Sequence, residues 1–137
     1  MKNFFYLLFL FVGIAHSQNV NIPDAEFKSY LLSLNNINVN LDNEIQISEA
    51  QNTFSIDSTG NLCANVQSLV GIEKFTNLNT LNIWGSKITN VDLSLNVNLK
   101  IISFFNNKLT SLDLSNNALL ESLNCQTNSL TDRKSVV

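Results

Sequence analysis

One pattern of apolar residues occurs three times in this chain at a constant spacing. Leu78, Leu99 and Leu120 begin the three copies, which are 21 positions apart (99 − 78 and 120 − 99). The copies have leucine, isoleucine, phenylalanine or cysteine at the same relative positions, with a small polar residue near the end of each, and span residues 78–88, 99–109 and 120–130. A fixed period of this length predicts a solenoid, because one repeat cannot bury its apolar face alone and must pack against its neighbours.

The blocks fit the pattern L-x-x-L-x-L-x-x-N-x-L, with Ser86 in place of the asparagine in the first block. This pattern resembles the leucine-rich repeat family over residues 66–130. The resemblance implies an α/β fold: a leucine-rich repeat solenoid of short parallel strands, with little helix in the repeats. We expect the repeats over residues 54–131, incomplete at the C-terminus. A small helical N-terminal cap is expected over residues 18–53, with an amphipathic helix at residues 24–34.

Residues 1–17 have the features of an export signal. Lys2 precedes an apolar run over residues 4–14, and the small residues Ala15 and Ser17 suit a cleavage site after Ser17. This run is shorter than the roughly 20 apolar residues that a membrane-spanning helix needs. We therefore expect residues 1–17 to be a signal peptide, the mature chain to have no membrane span, and the protein to be secreted or at the cell surface.

The last residues, 132–137, break the repeat. The pattern predicts residues like those at 111–116, but the chain reads Asp-Arg-Lys-Ser-Val-Val. This hexapeptide is the translation of GATCGGAAGAGCGTCGTG, a stretch of a widely used short-read sequencing adapter whose next codon is a stop. We expect these residues to be an adapter artefact, and the gene to continue the repeat after Thr131.

The composition argues against several classes of site. His16 is the sole histidine and lies in the expected signal peptide, so the mature chain has none for a catalytic pair or an imidazole metal site. The net charge of −3, without a basic patch, argues against nucleic-acid binding. We expect no enzyme activity. Cys63 and Cys125 allow a disulfide in an exported chain, but Cys125 stands in a core column, where we expect a buried apolar residue.

A second motif lies in the expected cap, over residues 38–49. Its spacing resembles the EF-hand loop, with oxygen-bearing side chains at positions one, three and five and a glutamate at position twelve. Only two of the direct ligands are carboxylates, so the implied Ca²⁺ site is weak, with a Kd of roughly 10⁻⁴ to 10⁻³ M. The alternative is a metal-free loop whose side chains bond their own backbone. No other cofactor is expected. The implied ligands are Asn38, Asn40, Asp42, the carbonyl of Glu44, and Glu49.

The binding residues are expected on the outward face of the strands. Leucines of the L-x-x-L-x-L segment point inward and the residues between them point outward, since strand side chains alternate. Trp84, Phe105 and Ile101 then form an apolar cluster facing solvent, which often marks an interaction site. The alternative is that the two aromatics only stack along the sheet, or that sequence missing from this fragment covers them. The candidate binding residues are Trp84, Phe105, Ile101, Ser103 and Asn82, in three columns: Thr80, Ile101 and Ser122; Asn82, Ser103 and Asn124; Trp84, Phe105 and Gln126.

The combination of signal, cap and coils is similar to secreted bacterial leucine-rich repeat proteins of the Bacteroidetes type, with internalin-like repeats of the same period. The chain resembles a truncated fragment of one. The resemblance implies an extracellular or cell-surface binding module that acts in protein–protein interaction or adhesion through the concave face. A protein or other cell-surface ligand is the expected partner. A glycan-binding surface protein and a structural spacer for a lost C-terminal domain are left open.

Overall fold

The computed structural model describes residues 18–58 and 62–131, so the expected signal peptide and residues 132–137 lie outside the described residues. Two short helices precede a series of short strands, and a 3-10 turn, Ile72–Lys74, lies between the first two strands. In the described part of the chain, no helix has the length and apolar character needed to cross a membrane. The helices and strands are α1 Ala25–Leu32, α2 Ile47–Gln51, β1 Ser55–Asp57, β2 Thr80–Asn82, β3 Ile101–Ser103 and β4 Ser122–Asn124.

The four strands form one parallel sheet in chain order, β1-β2-β3-β4. Leu81 pairs with Ile102, and Ile102 pairs with Leu123, so each coil adds one strand in the register set by the repeat period. The middle residue of β2 and of β3 is buried and its neighbours are turned toward solvent, as the side-chain alternation of a strand requires.

The first strand departs from that period. Ser55 pairs with Thr80, which is 25 positions later (80 − 55), whereas Thr80 and Ile101 are 21 apart (101 − 80). The additional residues lie between β1 and the 3-10 turn, where Cys63 and Val66 are fully buried. The first coil is therefore longer than the others between β1 and the 3-10 turn, and β1 still pairs in register with β2.

Across the described residues, an apolar core runs from the cap through the coils. Leu81, Ile83 and Phe104 are fully buried, and each such side chain stabilises the fold by roughly 1.5 to 3 kcal/mol. The last coil differs, because no described coil packs on its far side. Leu123 and Cys125 are only partly buried there. The sequence predicts Cys125 to be a buried apolar residue, and the structure corrects this to a half-covered one.

The helices of the cap cover the first coil. The helix expected over residues 24–34 is α1, and it is shorter at both ends because Asp24 is its N-cap and Ser33 its C-cap. Its apolar side chains Phe27, Tyr30 and Leu31 are at most 4% exposed. They close the apolar end that a solenoid would otherwise expose.

Asp24 also connects the cap to the repeats. Its Oδ1 accepts hydrogen bonds from the backbone N–H groups of Glu26 and Phe27, and its Oδ2 from those of Gln67 and Ser68, all at 2.8–3.0 Å. Burial raises the pKa of this carboxyl. The four backbone hydrogen bonds together lower it by a larger amount, so the pKa lies below its usual value. Because the folded pKa is the lower one, this stabilisation is present above the unfolded pKa of about 3.9 and is lost as the pH falls through the folded value.

Asparagines tie consecutive coils together at the position that the repeat predicts. The Nδ2 of Asn107 donates to the carbonyls of Ile83 at 2.8 Å and Phe104 at 3.2 Å. Asn128 donates to the equivalent carbonyls one coil later, at 2.7 and 3.0 Å. Ser86 holds this position in the preceding coil, and its buried hydroxyl has no hydrogen-bond partner among the described residues. The shorter side chain leaves that turn less well supported.

A second asparagine column, outside the repeat pattern, lies on the other side of each coil. Asn96 is fully buried, and its Nδ2 donates to the carbonyls of Ile72 at 2.8 Å and Phe75 at 3.1 Å. One period later, Asn117 donates to the carbonyls of Leu93 at 3.2 Å and Asn96 at 2.9 Å. Two columns of asparagine amides thus bond backbone carbonyls of adjacent coils, and the carbonyls of Ile72 and Phe75 also accept the backbone N–H groups of Phe75 and Leu78 at 3.0 and 3.1 Å.

Candidate functional site

The outward residues of the strands form the columns that the sequence predicts. Thr80, Ile101 and Ser122 lie side by side, and so do Asn82, Ser103 and Asn124. The sheet side of the coils therefore presents mainly hydroxyl and amide groups around Ile101. We call this surface, with Trp84 and Phe105 at its edge, the sheet face.

The aromatic column continues this alignment beyond the strands. The N–H of Ile83 donates to the carbonyl of Ser103, and the N–H of Gly85 to that of Phe105, both at 2.9 Å. Trp84 lies between these two donors, so its backbone runs beside that of Phe105 in the next coil. The two aromatics are therefore neighbours, as the repeat predicts.

One of the three apolar side chains, Trp84, is less exposed than the sequence predicts. Phe105 is 37% exposed and Ile101 is 41% exposed, so both are available to a partner. The sequence predicts that Trp84 faces solvent, but it is partly buried. It therefore presents only part of its surface to solvent.

The strand β1 extends the sheet face beyond the columns predicted from the sequence. Ser55 and Asp57 are exposed and pair with Thr80 and Asn82. Because β1 and β2 are more than one repeat period apart in the chain, the repeat pattern alone does not align these residues with the columns. The short apolar alternation at residues 54–56 is the available signal for them.

One polar atom of the sheet face has no partner. The Oδ1 of Asn82 is covered from solvent and accepts no hydrogen bond from the described residues. A buried acceptor without a donor costs roughly 1 to 3 kcal/mol. A partner that moves this side chain or brings a donor to it would recover part of that cost.

The thiols are unsuited to nucleophilic catalysis. Burial raises the pKa of Cys63 to about 11, more than its hydrogen bond with Ser58 lowers it, and burial also raises the pKa of Cys125. A catalytic cysteine requires a lowered pKa. Both cysteines are free, and no three His, Cys, Asp or Glu side chains converge on a metal-sized site within the described ranges.

Three of the five predicted calcium ligands come together in the loop of the cap. The Nδ2 of Asn40 donates to Asp42 Oδ2 at 2.8 Å and to Gln46 Oε1 at 3.0 Å. The Oε1 of Glu49 accepts from the backbone N–H of Val39 at 2.9 Å, and its Oε2 from that of Gln46 at 3.0 Å. Asn40, Asp42, Gln46 and Glu49 line one shallow pocket.

The other two predicted ligands do not line that pocket. Asn38 is buried, and its Nδ2 donates to the carbonyls of Asp42 at 3.0 Å and Leu32 at 3.4 Å. Only the backbone carbonyl of Glu44 is a predicted ligand. The side-chain carboxylate of this residue forms an ion pair with Lys28 at 2.8 Å. The side-chain oxygens of the loop suit Ca²⁺ as ligands. The ion must, however, compete with N–H groups for the carboxylates of Asp42 and Glu49.

Weak calcium binding by this loop stays a prediction. With a Kd of about 1 mM, Ca²⁺ at about 10 mM stabilises the folded state by about 1.4 kcal/mol, which raises the melting temperature. The substitution Glu49→Gln keeps the shape and one acceptor oxygen but removes the charge, and we expect it to abolish the shift. Thermal unfolding with Ca²⁺ and with Mg²⁺ measures this. An equal response of the two chains to Ca²⁺ would show that the loop is not the site.

Comparison with known proteins supports the fold. No protein-family model matches the chain, and no curated protein does. Among solved structures, the internalin inlF of Listeria monocytogenes matches 85% of this chain at 25% identity, with a TM-score of 0.71. The internalins InlJ and inlC2 of the same organism match 83% and 87% of it at 26% and 15% identity, but their TM-scores of 0.49 and 0.37 are too low to support an argument.

The chain spans only part of these proteins: 34% of inlF, 29% of InlJ and 72% of inlC2. The agreement with inlF extends over the cap as well as the coils, since it covers most of this chain. Together with the parallel sheet in the register of the repeat and the scarcity of helix in the coils, it establishes the fold class. The chain folds as an α/β leucine-rich repeat solenoid similar to that of an internalin.

Proposed function

We propose that this protein is an extracellular or cell-surface binding module that holds a partner protein on its sheet face. The observation that carries the proposal is the exposed apolar pair Ile101 and Phe105 beside Trp84, on a rigid surface otherwise lined by hydroxyl and amide groups. Leucine-rich repeats form extended binding surfaces of this kind. The location outside the cell rests on the expected signal peptide.

The chemistry of the sheet face favours a protein partner. Protein interfaces combine aromatic anchors at the centre with polar groups that bond at the rim. Phe105 and Trp84 supply the anchors, while Ser103 and Asn82 supply donors and acceptors. Their backbones are fixed by hydrogen bonds between coils, so little ordering entropy is lost when a partner binds.

A glycan is the second candidate partner. Aromatic rings can stack on sugar rings, and the side chains of Asn82 and Asn124 flank the aromatics with groups that bond hydroxyls. The exposed amide of Asn124 offers both a donor and an acceptor to sugar hydroxyls. Parallel screening of the purified chain on an array of extracellular proteins and on a glycan array separates the two candidates.

For a partner captured in that screen, we predict that Phe105→Ala and Trp84→Ala each weaken binding about thirtyfold. Truncating a hot-spot aromatic costs about 2 kcal/mol or more, which corresponds to this factor. Affinity is measured by surface plasmon resonance, and the fold of each variant by circular dichroism and thermal unfolding. Because Trp84 is partly buried, Phe105→Ala is the cleaner test of the two.

Two control variants replace residues that lie outside the sheet face. Leu119 is 52% exposed and lies outside the sheet, and Lys87 lies on the turn beyond β2 with its Nζ 2.9 Å from Asn65 Oδ1. Leu119→Ala and Lys87→Ala are expected to leave binding unchanged. If folded Phe105→Ala binds as the unmodified chain does, the site lies elsewhere. If both aromatic variants unfold, the aromatics are structural.

A further inference from the structure

An apolar cleft of about 410 Å³ lies between the first two coils, and none of its lining residues belongs to the sheet. Its volume is within the range of roughly 300 to 1,000 Å³ that is typical of ligand clefts. The residues come from the segment around the 3-10 turn and from its equivalent one period later. The lining residues are Ser68, Leu69, Val70, Ile72, Glu73, Asn90, Val91, Asp92 and Leu95.

Apolar side chains from both coils are exposed at this cleft. Val70 is 51% exposed and Leu95 is 56% exposed, while Leu69 and Ile72 are buried beneath them. A surface on which large aliphatic groups from two elements flank a concavity is a candidate interaction site. Burial of these exposed groups by a partner supplies a favourable free energy that grows with the apolar area removed from water.

The charged groups at the cleft have one sign. Glu73 Oε2 accepts from the N–H of Gly71 at 2.7 Å, and Asp92 Oδ1 accepts from the N–H of Ser94 at 2.9 Å, so both carboxylates are held in place. Hydrogen bonds from Ser94 hold the pKa of Asp92 below its usual value, so it is ionised at neutral pH. Among the residues that the structure describes, no lysine or arginine lines the cleft.

The acidic edge continues into the next coil. A smaller cleft of about 250 Å³ shares Val91 and Asp92 with the first and adds Asp113. Hydrogen bonds from Ser115 lower the pKa of Asp113, and the nearby charge of Asp92 opposes that shift, so the two carboxylates repel each other. A cationic group placed between them would relieve this repulsion.

We infer that this cleft is a second binding site, which takes a segment of a partner polypeptide that presents an aliphatic side chain next to lysine or arginine. The aliphatic group would lie against Val70 and Leu95, and the cation against Glu73 and Asp92. Charge complementarity selects this occupant over an acidic segment. The inference uses none of the residues of the sheet face and does not depend on the proposed function.

The test uses a capped peptide of alternating lysine and leucine, titrated into the ¹⁵N-labelled chain at low ionic strength. Amide signals of Val70, Val91, Asp92 and Leu95 are expected to shift, and those of the sheet face are not. The double variant Glu73→Gln, Asp92→Asn keeps the acceptors for Gly71 and Ser94 but removes both charges. Because each exposed ion pair contributes only modestly to binding, this variant is expected to bind about tenfold more weakly.

Two comparisons control for non-specific attraction. The variant Glu121→Gln removes an exposed charge beside β4, in the last described coil and outside the two coils that form the cleft, and it is expected to bind as the unmodified chain does. A peptide of alternating glutamate and leucine is expected not to bind. Unchanged affinity in the double variant, equal binding of both peptides, or shifts confined to the sheet face would overturn the inference. Self-association of the chain that Leu95→Ser abolishes, without peptide binding, would assign the cleft to a second copy and would also overturn it.

Discussion

Replacing Gly71 with alanine is expected to lower the free energy of unfolding by about 2 to 4 kcal/mol, which is a large part of the stability of a domain of this size. Gly71 has φ +106°, a conformation that side-chain-bearing residues rarely adopt. A Cβ there would lie 2.8 Å from Ile22 Cγ1 and 3.0 Å from the carbonyl oxygen of Asn21. The second contact is with backbone and cannot be relieved by rotating a side chain. Residues 20–22 must therefore shift away from the first coil by a few tenths of an ångström.

Gly85→Ala is the matched control for this substitution. Gly85 also has a positive φ, +68°, but its Cβ would meet no atom within 4 Å. The cost there is limited to the left-handed backbone, about 1 to 2 kcal/mol. Urea unfolding of both variants, followed by circular dichroism, measures the difference. Equal destabilisation would show that the packing of residues 20–22 on the first coil contributes little.

Asn96→Ala is expected to destabilise the protein by about 1 to 3 kcal/mol, because it removes two buried hydrogen bonds that each contribute roughly 0.5 to 1.5 kcal/mol. The side chain is fully buried, and its Nδ2 satisfies the carbonyls of Ile72 and Phe75 in the preceding coil. Alanine removes that donor, and each carbonyl then keeps only its backbone hydrogen bond, from the N–H of Phe75 or of Leu78. The variant also leaves a small cavity at the contact between coils.

Asn116→Ala provides the comparison for this prediction. Asn116 is exposed on the turn next to Asn117, so its replacement is expected to change stability by less than about 0.5 kcal/mol. Chemical unfolding gives both values, and hydrogen exchange locates the effect of Asn96→Ala in the first two coils. A loss below about 1 kcal/mol for Asn96→Ala would mean that water replaces the amide.

The repeat period carries most of the information about the sheet. Because side chains alternate along a strand, a pattern that recurs once per coil decides both which residues point inward and which residues of adjacent coils become neighbours. The columns of Ile101, Ser103 and Phe105 follow from it without further knowledge. The same pattern places Asn107 and Asn128 in the turn, where their amides bond the backbone of two coils.

The cap was predictable in part. Pro23 and Asp24 signal the start of a helix, and the apolar spacing that follows gives its buried face. The further role of Asp24, whose second oxygen accepts from Gln67 and Ser68, was not predictable, because these residues are distant in the chain. The loop of the cap was also predictable only in part. Its spacing identifies the oxygen atoms that could bind a cation, but only the structure shows that its carboxylates already accept hydrogen bonds from N–H groups.

The sequence alone determined the coil length, the register of β2, β3 and β4 and the candidate residues of the sheet face, because each depends on local periodicity. The tertiary structure decided the partial burial of Trp84, the longer offset of β1, the buried asparagine column at Asn96 and the apolar cleft at Val70. These features arise where segments distant in the chain meet. Their geometry depends on the volume and polar groups of both partners, which no repeat pattern within one coil contains.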